Sequence, residues 1–180
     1  MDTTREKAWN ILREHVQEKP LLNHCLAVEV AMRAYAGKYG EDVEYWGAVG
    51  LLHDVDFEKY PEEHLDHTEE ILKPHGYTGQ FITDIESHAR DWVPERNLLQ
   101  KVLLGVDELT GFIIACALVR PDKSIANLQV KSVMKKMKDK AFARAVNRET
   151  IVQGAEMLGI DLQEHIEFVT AALAKDFCMS

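Results

Sequence analysis

The sequence predicts an all-α fold, a compact single-domain helical globule spanning residues 1–180, and three observations lead there. Apolar residues recur at three- and four-residue intervals in most segments, the spacing of one helix face. No stretch shows the sustained alternation of a half-buried strand. The 180 residues are 46 % hydrophobic and contain no repeats, low-complexity tracts or linkers, so one core forms without disulfide staples.

The elements follow in order. Thr3 or Thr4 caps a first helix running to about residue 18, with Trp9, Leu12 and Val16 in its stripe. Pro20 restarts the chain, and Leu21, His24, Val28, Ala31 and Tyr35 share one face of a second helix ending near Gly37 or Gly40. His24 on that apolar face is either a hydrogen-bonded core histidine or a ligand. Asp42 caps a third helix through Trp46 and Leu51 to the pair His53-Asp54. His53 keeps helical register with Trp46, Val49 and Gly50, so it turns toward the core, where a polar group needs a partner. The pair either caps the helix end or converges on a metal ion, since mixed nitrogen and carboxylate donors suit divalent transition metals.

Glu62 to about His75 is expected as one helix closed by Gly76. His64 and His67 both lie in it, and periodicity does not choose between them; His75 belongs at the negative end of the helix dipole. Gln80 to Ala89 forms a helix with Phe81, Ile85 and His88 in one stripe. Arg90 to Pro94 is a break, and its Trp92 either lines a pocket or packs under a loop. Asn97 to about Val119 is the longest helical run, with Leu99, Leu103, Asp107, Thr110 and Ile114 on one face. A carboxylate in an apolar stripe calls for a basic side chain or a metal. Gly105 and Gly111 each cost that helix about 1 kcal/mol relative to Ala, which marks close approach of a neighbour or ligand.

After a turn at Arg120 to Ser124, a shorter helix runs through Val130, Val133 and Met137. Its other side is basic: Lys131, Lys135 and Lys138 recur at helical spacing, with Lys136 and Lys140 beside them. Such a face is either solvated or holds a phosphate. Arg120 and Lys131, near element boundaries, are the preferred substrate-binding cations. Arg148 to Thr150 opens a helix ending near Gly159, and Asp161 caps the last one, which reaches Phe177. The helices of residues 123–177 pack on a metal-site core of about 21–118.

The net charge of −9 argues against a nucleic-acid polymer or an anionic membrane as partner, because both need a basic surface. An anionic substrate therefore needs a local positive site. Cys25, Cys116 and Cys178 have neither the count nor the spacing of a disulfide framework or zinc finger, which points to a reducing compartment, the cytoplasm by default. The first residues lack the apolar core of a signal peptide, and no run approaches the ~18 apolar residues of a membrane span.

His24, His53, Asp54, His88 and Asp107 all turn inward from four different helices, and no local need explains the set. One divalent ion held by His24, His53, Asp54 and Asp107, with positions open to water and substrate, does. The pattern of a His, a His-Asp pair about thirty residues on and a distant Asp within a helix resembles the HD-domain superfamily of metal-dependent phosphohydrolases. The resemblance covers about Leu21 to Leu118. Asp107-Glu108-Leu109-Thr110-Gly111 through Ala117 to Pro121 is similar to a branch of predicted HD-superfamily hydrolases. Asp56 stands where many of these relatives have glycine, and Ala89 where two-metal relatives often carry a second histidine.

The resemblance implies an all-helical fold and hydrolysis of a nucleotide or other small phosphate ester by water activated at a divalent metal (Mn, Fe, Ni, Co, Zn or Mg). His24, His53, Asp54 and Asp107 are then the metal ligands. With a second ion, Asp54 bridges and His64 and His88 complete the outer site; with one ion, His64 or His88 protonates the leaving group. The catalytic set is thus His64, His88 and Asp54, with Glu58 and Glu108 beside it. Two other readings stay open: a non-catalytic nucleotide- or signal-binding HD module, and a helical interaction protein whose histidines are merely buried. Substrate, number of ions and oligomeric state are not legible.

Overall fold

The computed structural model describes residues 2–89 and 95–178. The expected break at 90–94 with Trp92 falls outside the described residues. Nine α-helices and no strand occur among those described: α1 (Arg5–His15), α2 (Lys19–Tyr39), α3 (Val43–Leu52), α4 (Thr68–Leu72), α5 (Gly79–Glu86), α6 (Leu98–Leu118), α7 (Val130–Met137), α8 (Arg148–Leu158) and α9 (Leu162–Asp176).

Polar side chains cap the starts of four helices, α3, α6, α8 and α9. The Asp42 carboxylate accepts from the amides of Glu44 and Tyr45, and Asp161 does the same for Gln163 and Glu164. Asn97 and Gln100 form a reciprocal capping box at the start of α6. Thr4 occupies the position before α1, but its hydroxyl makes no capping bond, and α1 stops at His15 rather than near residue 18. Pro20 sits inside the first turn of α2, where the missing N–H is not needed, so that helix begins at Lys19 instead of after the proline.

The largest departure from expectation lies between Glu62 and His75. A 3₁₀ turn, Pro61–Glu63, gives way to extended backbone at His64, and Leu65 adopts a left-handed φ of +73°. Only then does α4 begin, followed by a second 3₁₀ turn, Lys73–His75, which ends at Gly76 with φ +81°. A buried leucine in the left-handed region costs conformational energy and persists only where surrounding contacts dictate it. It reverses the chain immediately after His64 and breaks the expected helix in two.

The helices α2 and α6 form the centre, each contacted by several neighbours. Glycines permit the closest crossings. A Cβ at Gly50 would lie 2.8 Å from Met32 Cγ and 3.1 Å from the Val28 carbonyl, so α3 lies directly on the α2 backbone. A Cβ at Gly154 would lie 2.3 Å from Gly105 Cα, which makes α6 and α8 meet backbone to backbone. The cost of Gly105 in a helix interior is thereby explained; Gly111 has no comparable neighbour. Buried polar groups reinforce the frame. Asp84 accepts from Tyr45 Oη, Gln80, Asn97 and Gln100. Glu29 receives Arg5 and Arg33.

Candidate metal centre

The α2–α3 and α2–α6 contacts bring His24, His53, Asp54 and Asp107 to one point. His24 Nε2 lies 3.1 Å from His53 Nε2, 3.0 Å from Asp107 Oδ1 and 3.6 Å from Asp54 Oδ2. His53 Nε2 is 3.5 Å from both Asp54 Oδ2 and Asp107 Oδ1. The other oxygen of Asp54 faces a second pair: Oδ1 is 3.3 Å from His64 Nε2 and 3.6 Å from His88 Nε2, and those nitrogens are 3.3 Å apart. One carboxylate therefore presents its two oxygens to two sets of donors.

Local backbone sets the imidazole orientations. His53 Nδ1 donates to the Gly50 carbonyl at 2.8 Å, and His88 Nδ1 donates to the Ile85 carbonyl at 2.6 Å. His88 lies just past the end of α5, where the chain folds its ring back on that helix's last carbonyls. His64 Nδ1 is 2.8 Å from Asp56 Oδ1, and Asp56 also accepts from Thr68 Oγ1 and, at 3.4 Å, from the His67 amide. Spending Nδ1 in this way directs each Nε2 lone pair into the cluster, the arrangement that metal-ligating histidines use.

The donors fit a divalent ion. Ligand atoms about 2.1 Å from one ion are separated from each other by about 3.0–3.4 Å in octahedral or tetrahedral arrangements. The separations here begin at 3.0 Å and reach 3.6 Å. Two overlapping groups offer one ligand atom from each residue, all within 4.8 Å of one another: His24, His53 and Asp107, and His53, Asp54 and His88. Without a cation, inward lone pairs and carboxylates at this spacing repel one another, so protons take part of that role. Burial alone would lower the pKa of His64, but hydrogen bonds to the carboxylates of Asp54 and Asp56 outweigh it and push the imidazole up to about 9. Burial alone would raise Asp54 and Asp107; facing histidines hold both carboxylates well below their usual range.

A cavity of about 570 Å³ opens over the cluster. Its floor is His24, Asp54, His64, His88 and Asp107, and its walls include Phe57, Arg96, Leu104, Glu108, Thr150 and Gln153. Phe57 stands edge-on to His64 with centroids 5.1 Å apart. Arg96 is tethered by two hydrogen bonds from Nε and Nη2 to the Ser87 carbonyl. Glu108 accepts from the Asn147 amide, joining the helix that bears Asp107 to the cap of α8, and burial raises its pKa.

The sequence pointed to the floor and, among the walls, to Glu108, but not to Phe57, Arg96, Leu104, Thr150 or Gln153. Arg120 and Lys131 do not line this cavity: Arg120 lies beyond the end of α6, whose last residue Leu118 is eleven residues, about 16 Å along the helix axis, past Asp107, and it is held in two hydrogen bonds by Asp122. Among the described residues, the guanidinium that lines the cavity is that of Arg96. Glu58 caps instead the start of α2, accepting from the amides of Gln17 and Glu18. His67 pairs with Glu63 and stacks on Tyr60, outside the cluster, so the turn at Leu65 separates the two histidines that periodicity left equivalent. Asp56 appeared in the sequence only as a missing glycine; its place behind His64 depends on that same turn. No helix among the described residues is long and apolar enough to cross a membrane.

A comparison with protein-family models matches residues 21–111, half of the chain, to the model described as HD domain. The matched segment starts three residues before His24 and ends four after Asp107. No curated protein and no solved structure gives a match.

Proposed function

The chain belongs to the HD domain family, and from that membership and the donor cluster we propose that it is a metal-dependent phosphohydrolase acting on a nucleotide or another small phosphate ester. The observation that carries this reading is the two-sided exposure of Asp54, with Oδ2 toward His24 and His53 and Oδ1 toward His64 and His88. His24, His53, Asp54 and Asp107 would hold one divalent ion, and His64 and His88 would share Asp54 in holding a second. A divalent ion there supplies Lewis acidity, lowering the pKa of water toward neutrality and polarising a phosphoryl oxygen.

The chain's own groups supply the rest. Arg96 gives a fixed positive charge to the phosphate's outer oxygens, which an acidic protein must provide locally. Thr150 and Gln153 offer hydrogen bonds to the ester's organic part across the cavity, and Phe57 offers it an apolar edge. Where only one ion is held, His64 delivers a proton from Nε2 to the leaving oxygen, with Asp56 fixing its ring through Nδ1.

The test is elemental analysis of chain purified without chelator or a metal-binding tag, comparing native protein with Asp54→Ala and Asp107→Ala. Near-stoichiometric transition metal in the native chain, lost in the folded variants, is the expected result. A panel of phosphate monoesters with the identified metal added follows. Absence of metal, together with no thermal stabilisation by Mn²⁺, Ni²⁺, Co²⁺, Fe²⁺ or Mg²⁺, would sink the reading.

A further inference from the structure

Charge is distributed very unevenly along this acidic chain. Residues 120–148 contain nine basic and two acidic side chains, a net +7, so the rest of a chain of net −9 carries −16. This basic stretch lies away from the metal centre, yet the structure gives it a cavity of its own. A recess of about 330 Å³ opens between the end of α6 and α7, with Cys116, Val119 and Leu128 as an apolar wall and Arg120, Ser132, Lys135 and Lys136 as the polar one. Cys116 and Leu128 are buried, while Val119 keeps 63 % of its surface exposed.

The cations differ in how committed they are. Arg120 is engaged by Asp122, and Lys136 reaches Asp139 at 3.6 Å while lying over the Phe142 ring. Lys135 has no ion pair among the described residues, and neither do Lys131, Lys138 and Lys140 on the same flank. Asp139 is the acidic residue of the wall, so the lining keeps an excess of positive charge. Arg148 donates to the carbonyls of Asp139, Phe142, Ala143 and Val146, fixing the segment that follows α7. A recess with an apolar wall, a hydroxyl and three cations against one carboxylate, with the Lys135 ammonium uncommitted, matches a small ligand that is apolar at one end and doubly negative at the other.

We propose that this cavity is a second ligand site, separate from the metal centre, that takes a small organic phosphate by its phosphate on Lys135, Lys136 and Arg120 and by its carbon skeleton on Cys116, Val119 and Leu128. An open polyanion surface would need no apolar recess, and a lipid surface would need more exposed apolar area than Val119 and Leu118 supply. The site shares α6 with the metal centre, because Cys116 follows Asp107 by nine residues, about 13 Å along one helix. Its occupancy does not require the chain to hydrolyse anything.

The experiment is site-resolved NMR on the full-length chain, titrated with phenyl phosphate, inorganic phosphate and sulfate at 0.15 M salt. Phenyl phosphate should saturably move the amide signals of Cys116, Leu128, Ser132 and Lys135, with inorganic phosphate acting on the same signals more weakly. Lys135→Glu, which changes an exposed lysine without an ion pair among the described residues, should weaken phenyl phosphate at least tenfold with its thermal midpoint and metal content retained. Three results would overturn the proposal: no saturable shift; equal, unsaturable shifts along Lys131 to Lys140 with phosphate and sulfate alike; or shifts produced by heparin or phosphatidylserine vesicles but not by phenyl phosphate. Because metal content is read separately, failure here leaves the hydrolase reading intact, and failure of that reading leaves this site untouched.

Discussion

Asp56 Oδ1 accepts from His64 Nδ1 at 2.8 Å, so a fully buried carboxylate fixes the ring that faces the outer oxygen of Asp54. Carboxylates in this position typically hold ring orientation and raise ligand basicity, and their loss lowers metal affinity 10- to 100-fold. If the cluster holds two ions as proposed, Asp56→Ala should weaken the one at Asp54, His64 and His88 by about that factor and spare the one at His24, His53 and Asp107. Asp56→Asn, which keeps one acceptor for Nδ1, should fall between. Metal stoichiometry after dialysis against graded chelator separates the two sites, with circular dichroism confirming the fold. Unchanged stoichiometry in Asp56→Ala would remove Asp56 from the centre.

Two helix-interior glycines should respond oppositely to alanine. At Gly154 the added Cβ would stand 2.3 Å from Gly105 Cα, and backbone cannot swing aside as a side chain can. The strain of forcing apart α6 and α8 should exceed the gain in helix propensity, costing about 2 kcal/mol and about 4–8 °C in Tm. At Gly111 nothing lies within 4 Å, and alanine should stabilise by up to about 1 kcal/mol. Thr150 and Gln153 ride on α8, so Gly154→Ala should also raise KM, whereas Gly111→Ala should leave it unchanged. Thermal melts and kinetics on both variants check this.

The contrast shows what a sequence makes legible. His24, His53 and Asp107 stand out because each is polar on an otherwise apolar helical face, a property read from local spacing alone. His64 has no such mark: the left-handed turn at Leu65 places it, and a helical wheel drawn through Glu62 to His75 puts His67 on equal terms. Arg96, Thr150 and Gln153 reach the cavity only through tertiary closure, the last two because Gly105 and Gly154 let α8 lie against α6. Gly105 advertised a close approach without disclosing its partner. The buried polar trio of Tyr35, His165 and the Gly105 carbonyl was likewise hidden, since its members are separated by up to 130 residues.

In that trio His165 Nε2 donates to the Gly105 carbonyl at 2.8 Å and Nδ1 lies 2.6 Å from Tyr35 Oη, where burial favours the neutral ring accepting from the hydroxyl. Burial pushes its pKa down. The unfolded chain then takes up a proton here before the folded chain does. This contribution to stability is complete above about pH 6.5 and declines as pH falls below that value toward the folded pKa. Tyr35→Phe leaves a buried acceptor without its donor and should cost roughly 1–3 kcal/mol. His165→Gln should be less stable than native at pH 7.5 yet lose less on moving to pH 5.5. Chemical denaturation at the two pH values tests both, and an equal loss in native and variant would assign the acid sensitivity elsewhere.

His64 behaves in the opposite sense. Although burial opposes its charge, hydrogen bonds with the Asp54 and Asp56 carboxylates hold its proton up to about pH 9 in the metal-free chain. Its stabilising effect there is fully present below the unfolded value near 6.5 and is lost as pH rises through 9. A metal ion and that proton compete for the same Nε2 lone pair. Loading the outer site at pH 7.5 should release close to one proton from His64, and affinity there should rise about tenfold per pH unit until it levels near pH 9. Calorimetric titration with Mn²⁺ in two buffers of different ionisation enthalpy measures the release directly. In His64→Ala the proton count should fall by about one while ion binding at His24, His53 and Asp107 persists. Proton release unchanged in that variant would mean that His64 does not bind the ion, and Asp54 would be left with one set of partners instead of two.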